Sequence, residues 1–185
     1  LLPKAEARWI NLQKKFHVDR FVLVSADVRE RGPETLAEIM AALTKISRRI
    51  PVLFPVHPRT RNRIATLNLS YDSKGLVLTD PMGYLDFLAM QIHATLLLTD
   101  SGGIQEETTY LGIPCLTARP NTERPVTVIQ GTNRLVESQR DALIKAAEQA
   151  MEPSIICKSV PELWDGKTAD RIVHELINMT IKHNR

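Results

Sequence analysis

The 185-residue chain has little of what commits a sequence to several common classes. It holds 2 cysteines, Cys115 and Cys157, far apart and outside any CxxC or CxxxH spacing. A disulfide scaffold and a zinc module therefore find no support, and a reducing, cytoplasmic setting is expected. Charge of one sign is also scarce. A formal net charge of +3 is too mild to mark a nucleic-acid binder. No apolar run approaches the roughly 18 residues that a membrane span needs, so neither a nucleic acid nor a membrane is expected as partner. GxSxG, Walker-lysine and HExxH patterns are missing, as are internal repeats, low-complexity tracts and long linkers. The start, Leu1-Leu2-Pro3-Lys4-Ala5-Glu6, lacks an initiator Met and a basic-then-apolar leader. The chain is expected to be part of something longer.

What is present is an alternation of periods. Phe21–Ser25, Pro51–Val56, Leu76–Thr79, Thr95–Thr99 and Pro114–Thr117 are short, continuous apolar runs, as strands covered on both faces require. Between them lie helical spacings, such as Leu36, Ile39, Met40, Leu43 and Ile46 after Gly32-Pro33, then Pro58–Ile64, Tyr84–Ile92 and Ile104–Leu111. Asp141–Met151 and Ala169–Ile181 read as closing helices, with Met151–Gly166 the least regular stretch. Strands alternating with helices predict an α/β fold, a Rossmann-like parallel sheet with flanking helices. Ligands of such sheets bind at the carboxyl ends of the strands, so chemistry belongs in the loops that follow them.

The most informative of these loops is Thr99-Asp100-Ser101-Gly102-Gly103-Ile104-Gln105-Glu106-Glu107, where a strand runs into Ser-Gly-Gly and then a helix. Glycines admit a ligand close to the backbone, and the helix beneath offers unpaired N–H groups and a positive dipole end to a phosphate. Glu107, further along, is placed to reach ribose hydroxyls. The alternative is a plain helix cap at Ser101 with the glycines forming a tight turn. Arg124, in Thr122-Glu123-Arg124-Pro125 after the fifth strand, is a candidate phosphate clamp or a solvated arginine. His57 follows the second strand and reads as a catalytic candidate or as a loop anchor. Tyr84, Leu85 and Phe87 either frame an aromatic base or begin the helix core. His93 and His174 read as structural, and Cys115 as buried and inert.

Taken together, Pro55-Val56-His57-Pro58-Arg59-Thr60, Asp80 to Phe87, Asp100-Ser101-Gly102-Gly103-Ile104-Gln105-Glu106-Glu107, Thr122-Glu123-Arg124-Pro125, Gly131-Thr132-Asn133-Arg134-Leu135-Val136 and Trp164-Asp165-Gly166-Lys167 occur in one order. In that order they resemble the C-terminal half of a non-hydrolysing UDP-N-acetylglucosamine 2-epimerase. The resemblance covers most of the chain. It implies one Rossmann-like UDP-binding domain over residues 1–185, half of a GT-B architecture whose N-terminal domain is absent. It implies UDP or UDP-GlcNAc as ligand, no cofactor and no metal, and a homodimer in the intact protein. Ser101, Gly102 and Gly103 would hold the diphosphate and Glu107 the ribose. Arg124 would lie near the phosphates, and the segment around Phe87 would hold the uracil. The family eliminates UDP from UDP-GlcNAc through a 2-acetamidoglucal and adds it back to give UDP-ManNAc. Most of its acid/base carboxylates come from the N-terminal domain, so the isolated chain is expected to be inactive.

Two departures stand out. Asp27 occupies the position of a family histidine at the reaction centre, with Val28 in place of an arginine, and a carboxylate beside a diphosphate repels it unless protonated or paired. Met82 stands where the family often has Gln. Besides an epimerase domain, two readings stay open: a UDP-sugar-binding module without catalysis, and a GT-B glycosyltransferase donor domain. The strings quoted above argue against the last.

Overall fold

Short apolar runs without polar alternation need cover on both faces, and a parallel sheet between helices provides it. The computed structural model describes residues 1–26, 32–152 and 160–183. The strands are β1 (Val22–Ser25), β2 (Val52–Pro55), β3 (Leu76–Thr79), β4 (Leu96–Thr99), β5 (Cys115–Thr117) and β6 (Asn133–Leu135). All pair in parallel, in the order β3-β2-β1-β4-β5-β6. The helices are α1 (Leu2–Phe16), α2 (Pro33–Ile46), α3 (Pro58–Thr66), α4 (Tyr84–His93), α5 (Gly102–Leu111), α6 (Pro125–Ile129), α7 (Arg140–Ala150) and α8 (Thr168–His183). The Rossmann-like α/β fold expected from the sequence is the fold observed.

Side-chain alternation along β1 sorts the core into two layers. Val22 and Val24 join Leu36, Ile39 and Leu43 of α2 and Leu143 of α7. Leu23, fully buried, joins Leu53, Leu97, Leu88 of α4, and Ala5 and Leu12 of α1. A Leu23→Ala change removes packing from a close-packed layer, at a cost of about 2–5 kcal/mol. His93 helps to seat α1 on this layer. Its ring stacks on Trp9 at 4.1 Å, and its Nε2 lies 2.7 Å from Glu6 Oε2, which bears out its structural reading. Cys115 is 1% exposed, and burial pushes its thiol up to about 12, so it stays protonated and inert. His174 lies exposed on α8, and so do Ile172, Val173, Leu176, Ile177 and Met179.

The five strands anticipated from periodicity are present to within one residue at each end. Three elements escape that reading, namely α1, α6 and β6. One local expectation is corrected. Gly102 and Gly103 are not a turn ahead of the helix but its first two residues, with Ser101 as N-cap. The chain can enter the helix at once because the cap contributes its backbone: Ser101 O accepts from Gln105 N at 3.3 Å while its side chain makes no capping bond.

Candidate functional site

The strand order reverses between β1 and β4, and a crevice opens there at the carboxyl edge of the sheet. In register, Ser25 of β1 pairs with Thr99 of β4. Thr99 is fully buried, donates to Ser25 O at 2.7 Å and accepts from Ser101 N at 3.0 Å. One hydroxyl thus fixes the end of β1 to the loop that begins α5. Around the join lies a cleft of about 520 Å³ lined by Ser25, Pro55, His57, Met82, Phe87 and Ser101, among others. Of the residues singled out from sequence, His57, Met82, Tyr84, Phe87 and Ser101 line this cleft, whereas Gly102, Gly103, Glu107 and Arg124 are not among its lining.

On one side the wall is the start of α5. The amides of Gly102, Gly103 and Ile104 precede the first intrahelical bond and carry the positive end of the helix dipole. A Cβ added to Gly102 would come no nearer than 3.9 Å to anything, its neighbour being Arg124 Cγ. The absence of a side chain there is therefore not demanded by the fold. It leaves the backbone open to an approaching group. Arg124 stands beside this turn, its Nε 2.7 Å from Glu106 Oε1 in a close ion pair that lacks hydrogen-bond alignment. Gly112 ends α5 in the left-handed region, φ 70°, where glycine avoids the Cβ clash.

The other wall is the start of α4, where Tyr84 and Phe87 present rings and Met82 a thioether. Glu107 reaches this wall from α5. Its Oε1 accepts from the Tyr84 hydroxyl at 3.2 Å and its Oε2 from Gln91 Nε2 at 2.6 Å. Burial and the nearby Glu107 carboxylate, which also takes its hydrogen bond, push the Tyr84 phenol above its ordinary value. Gln91 is fully buried and its Oε1 has no partner, so it orients Glu107 at the expense of an unsatisfied acceptor. His57 caps α3, its Nδ1 accepting from Arg59 N at 3.2 Å. That bond leaves Nε2 as the protonated nitrogen of the neutral ring. The loop-anchor reading of His57 therefore holds, at the rim of the cleft.

Asp27 and Val28 lie outside the described residues. Leu85 is half-buried near the start of α4 and does not line the cleft. Sequence reasoning passed over Thr99, Gln91 and Gln105. A signal for Gln91 exists: a lone amide at a buried position of an otherwise apolar helix, Phe87-Leu88-Ala89-Met90-Gln91-Ile92.

A family model described as UDP-N-acetylglucosamine 2-epimerase matches residues 2–177. The chain belongs to this family. It is 43% identical over 129 residues to a UDP-N-acetylglucosamine 2-epimerase of Methanocaldococcus jannaschii, covering 68% of this chain and 34% of that protein. To the UDP-2,3-diacetamido-2,3-dideoxy-D-glucuronate 2-epimerase of Pseudomonas aeruginosa it is 36% identical over 162 residues, 86% of this chain and 44% of the relative. The crystal structure of the M. jannaschii epimerase in complex with UDP-GlcNAc and UDP superposes with a TM-score of 0.74 at 35% identity. That match covers 91% of this chain and 48% of the other. The chain thus spans less than half the length of these epimerase-family relatives. Among its described residues no helix is long and apolar enough to cross a membrane.

Proposed function

We propose that this chain is the nucleotide-binding half of a UDP-N-acetylglucosamine 2-epimerase, one UDP-binding domain over residues 1–185. In this reading the α5 N-terminus, through Ser101, Gly102 and Gly103, holds the diphosphate with Arg124 beside it. Glu107 accepts from ribose hydroxyls, and uracil lies against Phe87. The observation that carries the reading is an open helix N-terminus beginning at Ser101 on the cleft, with a carboxylate held at both oxygens further along the same helix. The two named relatives support it: their substrates differ in the sugar and share the nucleotide.

The chemistry follows from where charge moves. Elimination of UDP breaks the bond between the anomeric carbon and the diphosphate oxygen, and the electron pair leaves with the nucleotide. Negative charge grows on the phosphate, where backbone N–H groups and the helix dipole stabilise it without reorganising. UDP stays bound and re-adds once the proton at C2 has been returned from the other face. This chain supplies the grip on the leaving group, with His57 Nε2–H as a further donor at the rim. The base that removes the C2 proton belongs to an N-terminal domain, and the intact protein is a homodimer of the cytoplasm. The resemblance supports these last assignments.

Asp27 in place of a histidine favours a second reading, a UDP-sugar-binding module without catalysis. Calorimetric titration with UDP tests the binding shared by both, and a folded chain that takes up no UDP removes both. C2 proton exchange of UDP-GlcNAc in deuterated water, followed by NMR, tests the catalytic share. The isolated chain is expected to show none above a protein-free control, because a positioned base is missing. Exchange in a protein completed with its N-terminal half would decide for the epimerase over the module.

A further inference from the structure

Between β5 and α6, a run of hydrogen bonds leaves the backbone of Arg124 and returns to it. Arg124 N donates to Thr122 Oγ1 at 2.9 Å, and Thr122 Oγ1 donates to Gln105 Oε1 at 2.6 Å. Gln105 Oε1 also accepts from Asn133 Nδ2 at 3.1 Å, and the same nitrogen donates to Thr127 Oγ1 at 3.2 Å. Thr127 Oγ1 closes the ring by donating to Arg124 O at 2.7 Å. Thr117 Oγ1 pins Asn133 from the strand side, donating to its Oδ1 at 2.7 Å. Gln105, Thr117, Thr127 and Asn133 are all buried, at 5% exposure or less. Each hydroxyl in the ring both donates and accepts, so the direction of every bond is set by its neighbours.

The placement of this ring gives it a consequence beyond stability. Gln105 is the fourth residue of α5, the helix whose first residues form the open N-terminus, and Arg124 stands against Gly102. The ring therefore joins the two groups that the proposed function assigns to the diphosphate. We propose that Thr122 is a positioning residue for phosphate recognition. Its hydroxyl fixes the Arg124 backbone to Gln105, so that the guanidinium exchanges Glu106 for a diphosphate without reordering the loop. Thr122 touches no ligand in this scheme, and the saving is in loop and side-chain ordering on binding. The proposal rests on the assignment of the diphosphate to α5 and Arg124.

Thr122→Val keeps the shape and loses both hydrogen bonds, whereas Thr122→Ser keeps them. Binding of UDP by calorimetry and of uridine by NMR shifts, on the purified 185-residue chain, separates the diphosphate from the rest of the ligand. Thr122→Val is expected to weaken UDP about tenfold and leave uridine within about twofold, with Thr122→Ser close to the parent. In an Arg124→Gln background, Thr122→Val should add little, because its effect runs through Arg124. If Arg124→Gln itself leaves UDP binding unchanged, the diphosphate assignment falls. If Arg124→Gln weakens UDP while folded Thr122→Val does not, or weakens uridine equally, that assignment stands and the positioning role is overturned. Should Thr122→Val fail to fold, Thr127→Val opens the ring at its other end and must show the same UDP-selective loss.

Discussion

The two walls of the cleft are built on different physical grounds. The start of α4 presents side chains: two rings, a thioether and, reaching over from α5, a carboxylate held by Tyr84 and Gln91. The start of α5 presents backbone N–H groups, with Arg124 beside them tethered by a buried ring of hydrogen bonds. Side chains can be exchanged in graded steps. A backbone N–H cannot be mutated, only obstructed, so the second wall should fail abruptly where the first yields gradually.

The largest expected effect is therefore Gly102→Val. The fold leaves space at this position, so the variant should fold normally by circular dichroism. A branched side chain over the amides should nonetheless reduce UDP affinity by more than about a hundredfold in calorimetry. Binding equal to the parent would mean that the phosphate lies elsewhere. Glu107→Gln comes next, at about 1–3 kcal/mol of UDP affinity, since it keeps the shape and loses a charge-assisted acceptor. A loss as severe as that of Gly102→Val would erase the contrast between the walls.

How far that contrast was legible in the sequence differs from one wall to the other. The strand-to-helix junction at Thr99–Gly103 was plain, because an apolar run gives way there to Ser-Gly-Gly and then to helical spacing. Gln91, Thr122 and Asn133 were not, because a buried amide or hydroxyl acts only through partners that the fold brings from distant elements. The same distance explains β6, whose Asn133-Arg134-Leu135 has no apolar run and becomes a strand by pairing with β5. α1 was passed over for a different reason. Ala5, Trp9, Leu12 and Phe16 recur at helical spacing in a largely polar segment, and only their packing on α4 gives them meaning.

A finer test of the α4 wall is Gln91→Met, a change of similar volume. It removes a bond to Glu107 but also an acceptor without a partner, so stability by denaturant midpoint should hold or rise while UDP affinity falls about three- to fivefold. Loss of stability would show that the Glu107 bond outweighs the orphaned oxygen. The smallest effect concerns pH. Because the Tyr84 phenol is raised in the folded chain, the neutral form contributes a little stability that persists below the ordinary phenol value. It disappears as pH climbs through the raised one. Difference titration of phenolate absorbance between the parent and Tyr84→Phe should show one of the three tyrosines ionising later than a free phenol. Simultaneous ionisation would indicate that Glu107 does not engage it.

The hydroxyl of Thr99 reaches Ser25 across 74 positions of sequence. Loops that long close late, since chain entropy opposes them until the surrounding strands are in place. No early hairpin or single βα unit contains both sides of the cleft, so a partly folded chain has no assembled cleft. On the proposed function, capture of a nucleotide becomes a clock for the final stage of folding: a fluorescent nucleotide added during refolding is expected to light up only when β1 and β4 meet.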